Sequence, residues 1–269
     1  MSINGLNLVT LRLGPDRLLV PRSNPMLFYE TWVMNAYRCL HVRRGDVVLD
    51  IGASIGDYTV RAARAAGQTG KVVAVEPHPV AYSILLANIE LNRLTNVLPV
   101  KVAVSDTVGQ LTMAGEKIAT LVERGSRTDE YTVPSTTIDN LLESLGVGGA
   151  SAMKMDIEGG EAKALLNQAH IDRMREMAIE IHGESLRKDL VRHFERRGFR
   201  ATEVAVRDLQ VNSVRTALGH LPSAIASEVA THFYALRYVW GYASGHGSKM
   251  FTDINRSRYR IVHFAKREK

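Results

Sequence analysis

Five short apolar runs each carry an acidic residue at or just beyond their carboxyl end. Asp50 lies near the end of VVLDI, Glu76 follows VVAV, Asp106 comes two residues after the run that ends at Val104, Asp156 and Glu158 close AMKMDIE, and Glu180 lies near the end of MAIEI. Open α/β sheets bind ligands at the carboxyl ends of their strands, so side chains at run ends are placed to do chemistry. A dinucleotide would bring a pyrophosphate to the first glycine turn, where backbone N–H groups and a helix N-terminus favour negative charge. A row of carboxylates asks for the opposite, a ligand that is cationic and carries no phosphate.

The turn after the first run, Asp50-Ile51-Gly52-Ala53-Ser54-Ile55-Gly56, agrees. Glycines let the backbone approach a ligand and take dihedrals closed to other residues. The Gly52 to Gly56 spacing departs from the dinucleotide pattern G-x-G-x-x-G, which argues against a nicotinamide oxidoreductase. Glu76, followed by Pro77, is placed to take two ribose hydroxyls. S-adenosylmethionine meets these demands, with an ammonium, a sulfonium, ribose hydroxyls and an adenine amino group, each a partner for a carboxylate.

Methyl transfer from a sulfonium is an in-line displacement, so positioning supplies much of the acceleration, and a base is needed for a hydroxyl or a protonated amine. Asp156 is the first candidate base, with Glu158 and His182 next. Amine-methylating enzymes often carry Asn/Asp-Pro-Pro-Tyr/Phe at this point. The chain has Asp156-Ile-Glu158-Gly159, which favours an oxygen acceptor. Glu180, His182 and Glu184 alternate and, with Asp156, offer a divalent metal site as an alternative, although no fixed metal spacing is matched.

Elements that could position these residues follow a βαβ rhythm from residue 47 to residue 206. The pattern predicts strands at 47–51, 72–75, 97–104, 152–157 and 177–181, and a final pair at 199–206 and 259–265. Helices are predicted at 57–66, 79–94, from Thr136 or Thr137 to 145, at 161–169 with Leu166 and Ala169 inward, and at 185–197. Segment 109–133 reads as an antiparallel β excursion. The expected fold is a Rossmann-like, mostly parallel seven-stranded sheet with helices on both faces. Three regions result: an extension over 1–44 with a helix at 25–40, a catalytic domain over 45–207 and 258–269, and a helical insertion over 208–257. Phe233, Tyr234, Tyr238, Trp240 and Tyr242 in the insertion suit core or homodimer packing, or a substrate pocket.

GDVVLDIGASIGDYT, VVAVEPHP with LLANIELN, VAVSDTVGQL, STTIDNLL and MKMDIEGGEAKALL with IEIHGE cover residues 45 to 184 in order. In these blocks the chain resembles the FkbM-type methyltransferases of the class I fold, which implies O-methylation dependent on S-adenosylmethionine. The resemblance implies that Asp50, Gly52 and Gly56 surround the methionine part, Glu76 holds the ribose, Ser105 and Asp106 lie near the adenine, and Tyr58 and Thr59 contact the carboxylate. Ser54 stands where the family commonly has Asn; both are small and polar. Residues 1–25 and 208–257 lie outside the resemblance.

The remaining features bound the partners. The chain has 269 residues, one cysteine (Cys39) and a formal net charge of +6, which excludes a disulfide framework and a cysteine zinc cluster. With no signal pattern and no apolar run near ~20 residues, residence in the cytoplasm and no membrane span are expected. Basic residues cluster on the 185–197 helix and at the C-terminus (Arg256, Arg258, Arg260, Lys266, Arg267, Lys269). That clustering keeps RNA methylation open beside a small-molecule or glycan acceptor. A module that binds S-adenosylmethionine without turnover is the non-enzymatic alternative.

Overall fold

The structure is a computed structural model and describes residues 2–22, 25–28, 31, 32, 34–113, 130–166, 168–204 and 259–267. The insertion 208–257 with its aromatics, most of the β excursion, and Arg256, Arg258 and Lys269 lie outside the described residues.

The chain opens with an antiparallel sheet that the sequence analysis did not anticipate: β1 (Ser2–Ile3), β2 (Leu6–Leu13) and β3 (Asp16–Pro21). Register pairs Leu13 with Asp16, leaving Gly14-Pro15 as a two-residue connection, and Gly14 takes φ 67. Glycine at the first position of such a loop matches the twist of the flanking strands. Among the described residues, the helix expected over 25–40 is not continuous. Residues 25–28 make one 3-10 turn, Asn35 enters the left-handed region at φ 52, and residues 36–40 are turns closed by Arg38 N–H to Asn35 O and Leu40 N–H to Tyr37 O. A left-handed residue interrupts the i→i−4 ladder that a helix needs.

The central sheet then assembles in the predicted rhythm. Its elements are β4 (Val47–Ile51), α1 (Asp57–Ala66), β5 (Lys71–Val75), α2 (Pro79–Leu91) and β6 (Val97–Val100). A small second sheet follows, from β7 (Ala103–Val104), β8 (Gly109–Met113) and β9 (Tyr131–Thr136). The chain then continues through α3 (Ile138–Ser144), β10 (Ala152–Met155), α4 (Glu161–Leu165), β11 (Glu176–His182), α5 (Glu184–Arg196), β12 (Phe199–Glu203) and β13 (Tyr259–Lys266). The seven-stranded order is β12-β13-β11-β10-β4-β5-β6, and β13 alone runs antiparallel to its neighbours. This is the Rossmann-like architecture expected from the sequence.

Three of the boundaries that differ from expectation do so for a local reason. The strand predicted over 97–104 breaks after Val100, and Ala103 and Val104 pair with β9 in the other sheet. Pro99 is tolerated because β6 is an edge strand. Helix α2 stops at Leu91, since Arg93 turns left-handed at φ 52. Helix α4 stops at Leu165: Leu166 is extended and exposed, Ala169 is exposed, and the Asp139 carboxylate accepts the N–H groups of Ala169 (2.7 Å) and His170 (2.9 Å).

Alternate residues along each strand face opposite sides of the sheet. Val48, Val72, Ala74, Ala152, Ala178 and Ile261 pack with α1, α2, the N-terminal sheet and residues 34–40. Leu49, Val73, Met153, Met177, Ile179 and Phe264 pack with α3 and α5 on the other side. No helix among the described residues is long and apolar enough to cross a membrane.

Two asparagines dock the N-terminal sheet. Asn88 Oδ1 accepts Leu19 N–H (2.6 Å), and its Nδ2 donates to the carbonyls of Leu19 (3.0 Å) and Ile55 (2.8 Å). Asn92 treats Arg17 alike, accepting its N–H (2.9 Å) and donating to its carbonyl (2.6 Å). Four residues of helix rise about 6 Å and two of strand about 6.8 Å, so side chains at i and i+4 on α2 meet alternate residues of β3. The helix thereby stands in for a neighbouring strand. Asn88→Ala should strip the buried Leu19 backbone of both partners; at ~1–3 kcal/mol per unsatisfied group, roughly 3 kcal/mol of stability should be lost in chemical denaturation.

Candidate active site at the strand ends

The site is built where β4, β10 and β11 end. Register sets Lys154 of β10 beside Asp50 of β4 on one side and Ala178 of β11 on the other. Residues 50, 154 and 180 therefore share the sheet face covered by the N-terminal segment. Lys154 is buried, with Nζ 3.6 Å from Asp50 Oδ1. It donates to the Gly52 carbonyl at 2.7 Å and lies 5.5 Å from the Tyr37 ring centroid. Burial works against its charge, but Asp50, Asp156, Asp57 and Glu180 outweigh that and push its pKa up to about 12.

The carboxylates are under the opposite stress. Burial pushes Asp50 above the usual carboxylate range despite Lys154 and the 2.5 Å hydrogen bond from Thr59 Oγ1. Burial raises Asp57 to about 6 and Glu76 to about 7, the latter even though its oxygens accept the N–H groups of Ser54 and His78, each at 2.8 Å. Asp156 is raised by burial and by Glu158 and Glu161 against the pull of Lys154 and His182. Asp50 Oδ1 and Asp156 Oδ1 are buried and make no hydrogen bond.

The glycine turn fits tightly between the strand ends. Gly52 has φ 74, and a Cβ there would lie 1.8 Å from the Asp156 carbonyl oxygen. Gly56 has φ 86, and a Cβ would meet Leu85 Cδ1 at 2.6 Å. Ser54 is left-handed at φ 50, a conformation that Asn tolerates better than Ser. Its N–H is the one that holds Glu76, which ties the first turn to the end of β5.

After β10 the chain curls through Glu158 (φ 59) and Gly159 (φ 107) into α4. The curl brings two carboxylates to one imidazole: His182 Nδ1 lies 2.7 Å from Glu161 Oε1 and Nε2 lies 3.0 Å from Glu158 Oε2. Burial would lower the His182 pKa, but the two glutamates push it up to about 10. Both nitrogens then carry protons at neutral pH. Donor atoms of Asp156, Glu158 and His182 lie within 4.8 Å of one another, a separation that could hold a metal ion.

Of the residues picked out in the sequence, Asp50, Gly52, Thr59 and Asp156 thus lie around Lys154, with Ser54 and Glu76 joined beside them. Tyr58 is buried edge-on against Tyr37, with ring centroids 5.4 Å apart, a packing role. Pro77 is half-buried beside Glu76. Ser105 donates its hydroxyl to Asp106 (3.0 Å) and its N–H to Thr136, which joins that pair to the second sheet. Sequence reasoning missed Asp57, Glu161 and Tyr37. Glu161 had a signal, its place just after the Gly159-Gly160 pair, whereas Tyr37 sits in a segment without periodicity.

Two outcomes are expected. Lys154→Met should cost about 3–5 kcal/mol in chemical denaturation, because it leaves buried carboxylates uncompensated. The His182 ring should remain doubly protonated at about pH 8 by nitrogen NMR, and Glu161→Gln should bring its titration back towards neutrality. Because its folded pKa exceeds the ordinary 6.5, stability from this cluster is fully present below pH 6.5 and is lost as pH rises through about 10.

Comparison with known proteins adds a lineage. A family model described as the methyltransferase FkbM domain matches residues 50–201. Among solved structures, a precorrin-6Y C5,15-methyltransferase from Geobacter metallireducens is 14% identical over 62% of this chain and 69% of its own, with a TM-score of 0.42. The methyltransferase FkbM from Methylobacillus flagellatus is 17% identical over 59% of this chain, with a TM-score of 0.44, and the match spans only 39% of its length. Fibrillarin from Aeropyrum pernix, solved with natively bound S-adenosyl-L-methionine, is 18% identical over 63% of this chain and 64% of its own, with a TM-score of 0.38. The family match, which takes in more than half of the 269 residues, makes the chain a member of the FkbM family of S-adenosylmethionine-dependent methyltransferases.

Proposed function

We propose that the strand-end site binds S-adenosylmethionine and directs its methyl group to a hydroxyl of a small molecule or glycan. The observation that carries this is Asp156 Oδ1, a buried oxygen without a hydrogen bond, next to Asp50 on the adjacent parallel strand, whose Oδ1 is met by the Lys154 ammonium at 3.6 Å. A buried acceptor without a donor costs about 1–3 kcal/mol, a cost that a ligand bearing an ammonium and hydroxyls removes. The surrounding residues fit that ligand: the carboxylates near Lys154 outnumber its single positive charge.

In this assignment Asp50 and the Gly52–Gly56 turn receive the amino-acid part, Glu76 with Pro77 takes the ribose hydroxyls, and Ser105 and Asp106 sit towards the adenine. When bound, the cofactor supplies an electrophilic methyl on sulfur. The chain's own residues orient the acceptor and hold its proton. Asp156 is the base, since a carboxyl raised by burial and retaining one free oxygen is better matched to a hydroxyl proton than an exposed one. Glu158 and His182 act through each other: the imidazolium fixes Glu158 at the rim, and with both nitrogens engaged it is a poor base and a poor metal ligand. The reaction at this centre proceeds without a metal.

Local pairing on α5 favours a small acceptor over RNA. Arg187 pairs with Glu184 and Glu203, Lys188 with Glu184, Arg192 with Asp189, and Arg197 with Asp172, so much of the helix's positive charge is met within the chain. Phosphate-directed binding needs cations that remain available.

Calorimetry tests the cofactor site. Asp50→Asn and Glu76→Gln should each weaken S-adenosylmethionine binding about ten- to hundredfold, the worth of a charge-assisted hydrogen bond; unchanged affinity in both would overturn the assignment. Because Glu76 titrates at about 7 and receives hydroxyls best when ionised, affinity should rise with pH through about 7, with proton release on binding. Labelled methyl transfer to a panel of phenols, hydroxy acids and oligosaccharides, run beside total RNA, tests the acceptor class; transfer to RNA alone would refute it.

A further inference from the structure

On the sheet face that carries Asp50 and Lys154, but towards the amino ends of the strands, three residues from distant parts of the chain converge. Glu176 opens β11, His263 lies in β13, and His41 follows the turns that cover this face. His41 Nδ1 lies 3.3 Å and His263 Nε2 3.2 Å from the same oxygen, Glu176 Oε2. All three donor atoms lie within 4.8 Å of one another. We propose that His41, Glu176 and His263 form a binding site for a divalent ion that prefers imidazole, zinc being the best match.

Tetrahedral zinc holds nitrogen and oxygen ligands at about 2.0–2.1 Å, which sets neighbouring ligand atoms about 3.3–3.4 Å apart. At 3.3 and 3.2 Å, the two separations to Glu176 are close to that edge length. The carboxylate is also prepared as a ligand: its other oxygen, Oε1, accepts from Arg175 Nε (3.1 Å) and from a terminal guanidinium nitrogen (2.9 Å), while Arg175 is itself held by Asp46 at 3.0 and 2.8 Å. A carboxylate ligand is oriented by such outer hydrogen bonds. The set of two imidazoles and one carboxylate is a ligand combination zinc takes, and imidazole ligands discriminate against magnesium and calcium. With the His41 side chain 72% exposed, an ion can enter from solvent and keep water in its fourth position.

An ion here would fasten residues 37–41 to the sheet. That segment also carries Tyr37, whose hydroxyl donates to Glu180 at 3.2 Å and whose ring covers Lys154. The site is thus a staple for the cover of the candidate active site, separate from the donor atoms of Asp156, Glu158 and His182.

The test uses the full-length chain, stripped with a chelator, dialysed, and titrated with zinc chloride by calorimetry and with cobalt chloride by visible absorption. One zinc per chain is expected at micromolar affinity or tighter, a tetrahedral cobalt spectrum, and a higher Tm with zinc. His41→Ala and His263→Ala should each weaken zinc binding at least tenfold while leaving S-adenosylmethionine binding in place. His41 is exposed, so its variant should fold like the parent, and circular dichroism checks this. Absence of saturable zinc uptake overturns the proposal, because the two imidazoles then only donate protons to Glu176. Uptake that is unchanged in both histidine variants overturns it as well, and Glu158→Gln would then report whether the ion sits by His182.

Discussion

One buried ammonium sets the terms for everything around it. Lys154 has no bulk water to solvate its charge, and the strand order places it between β4 and β11, where Asp50 and Glu180 flank it. Moving an isolated ion into such surroundings costs several kcal/mol, so the ammonium and its carboxylates can only be buried together. Yet the match is uneven: one cation faces Asp50, Asp57, Asp156 and Glu180. Burial raises Asp50 and Asp156, with Glu158 and Glu161 adding to the second, and Asp156 Oδ1 is left without a hydrogen bond, which makes the protein alone a poor solvent for its own strand ends. A positively charged ligand supplies what the fold withholds.

Backbone shape follows from the same crowding. The Gly52 carbonyl points to Lys154 while its Cα faces the Asp156 carbonyl, so the turn can be made only by a residue without a side chain. Beyond β10, the left-handed Glu158 and Gly159 reverse the chain quickly enough for Glu158 and Glu161 to reach His182 from two sides. The sheet fixes where the charges begin, and the two turns decide where they end. Only the first turn is closed to side chains, since a Cβ at Gly159 would meet open space.

Much of this was legible in the sequence, and the failures have physical causes. Strand 47–51 and helix 57–66 were read to the residue because period, glycine stops and burial all agree there. The acids at the strand ends were legible as a class, since strand ends can be found from apolar runs. Their network was not: Tyr37 to Glu180 and Lys154 to Gly52 join residues more than a hundred positions apart. The N-terminal sheet lies outside the βα rhythm that starts at residue 47, although LNLVTLRL alternates and Gly14-Pro15 marks a turn. The helix expected over 161–169 failed through competition, as the Asp139 carboxylate takes backbone N–H groups that a longer helix would have used.

The asparagine rungs between α2 and β3 impose an order in time. Each joins residues about seventy apart, Asn88 to Leu19 and Asn92 to Arg17. Synthesis at ~5–20 residues per second therefore separates the two halves of each rung by roughly 4–14 s. Throughout that interval Leu18 and Val20, both fully enclosed in the finished protein, have no helix to lie against, and the outer edge of β3 offers open hydrogen-bonding groups. The N-terminal sheet is thus completed only after α2 has been made. Until residues 88 and 92 are available to pair, β3 presents a sticky edge.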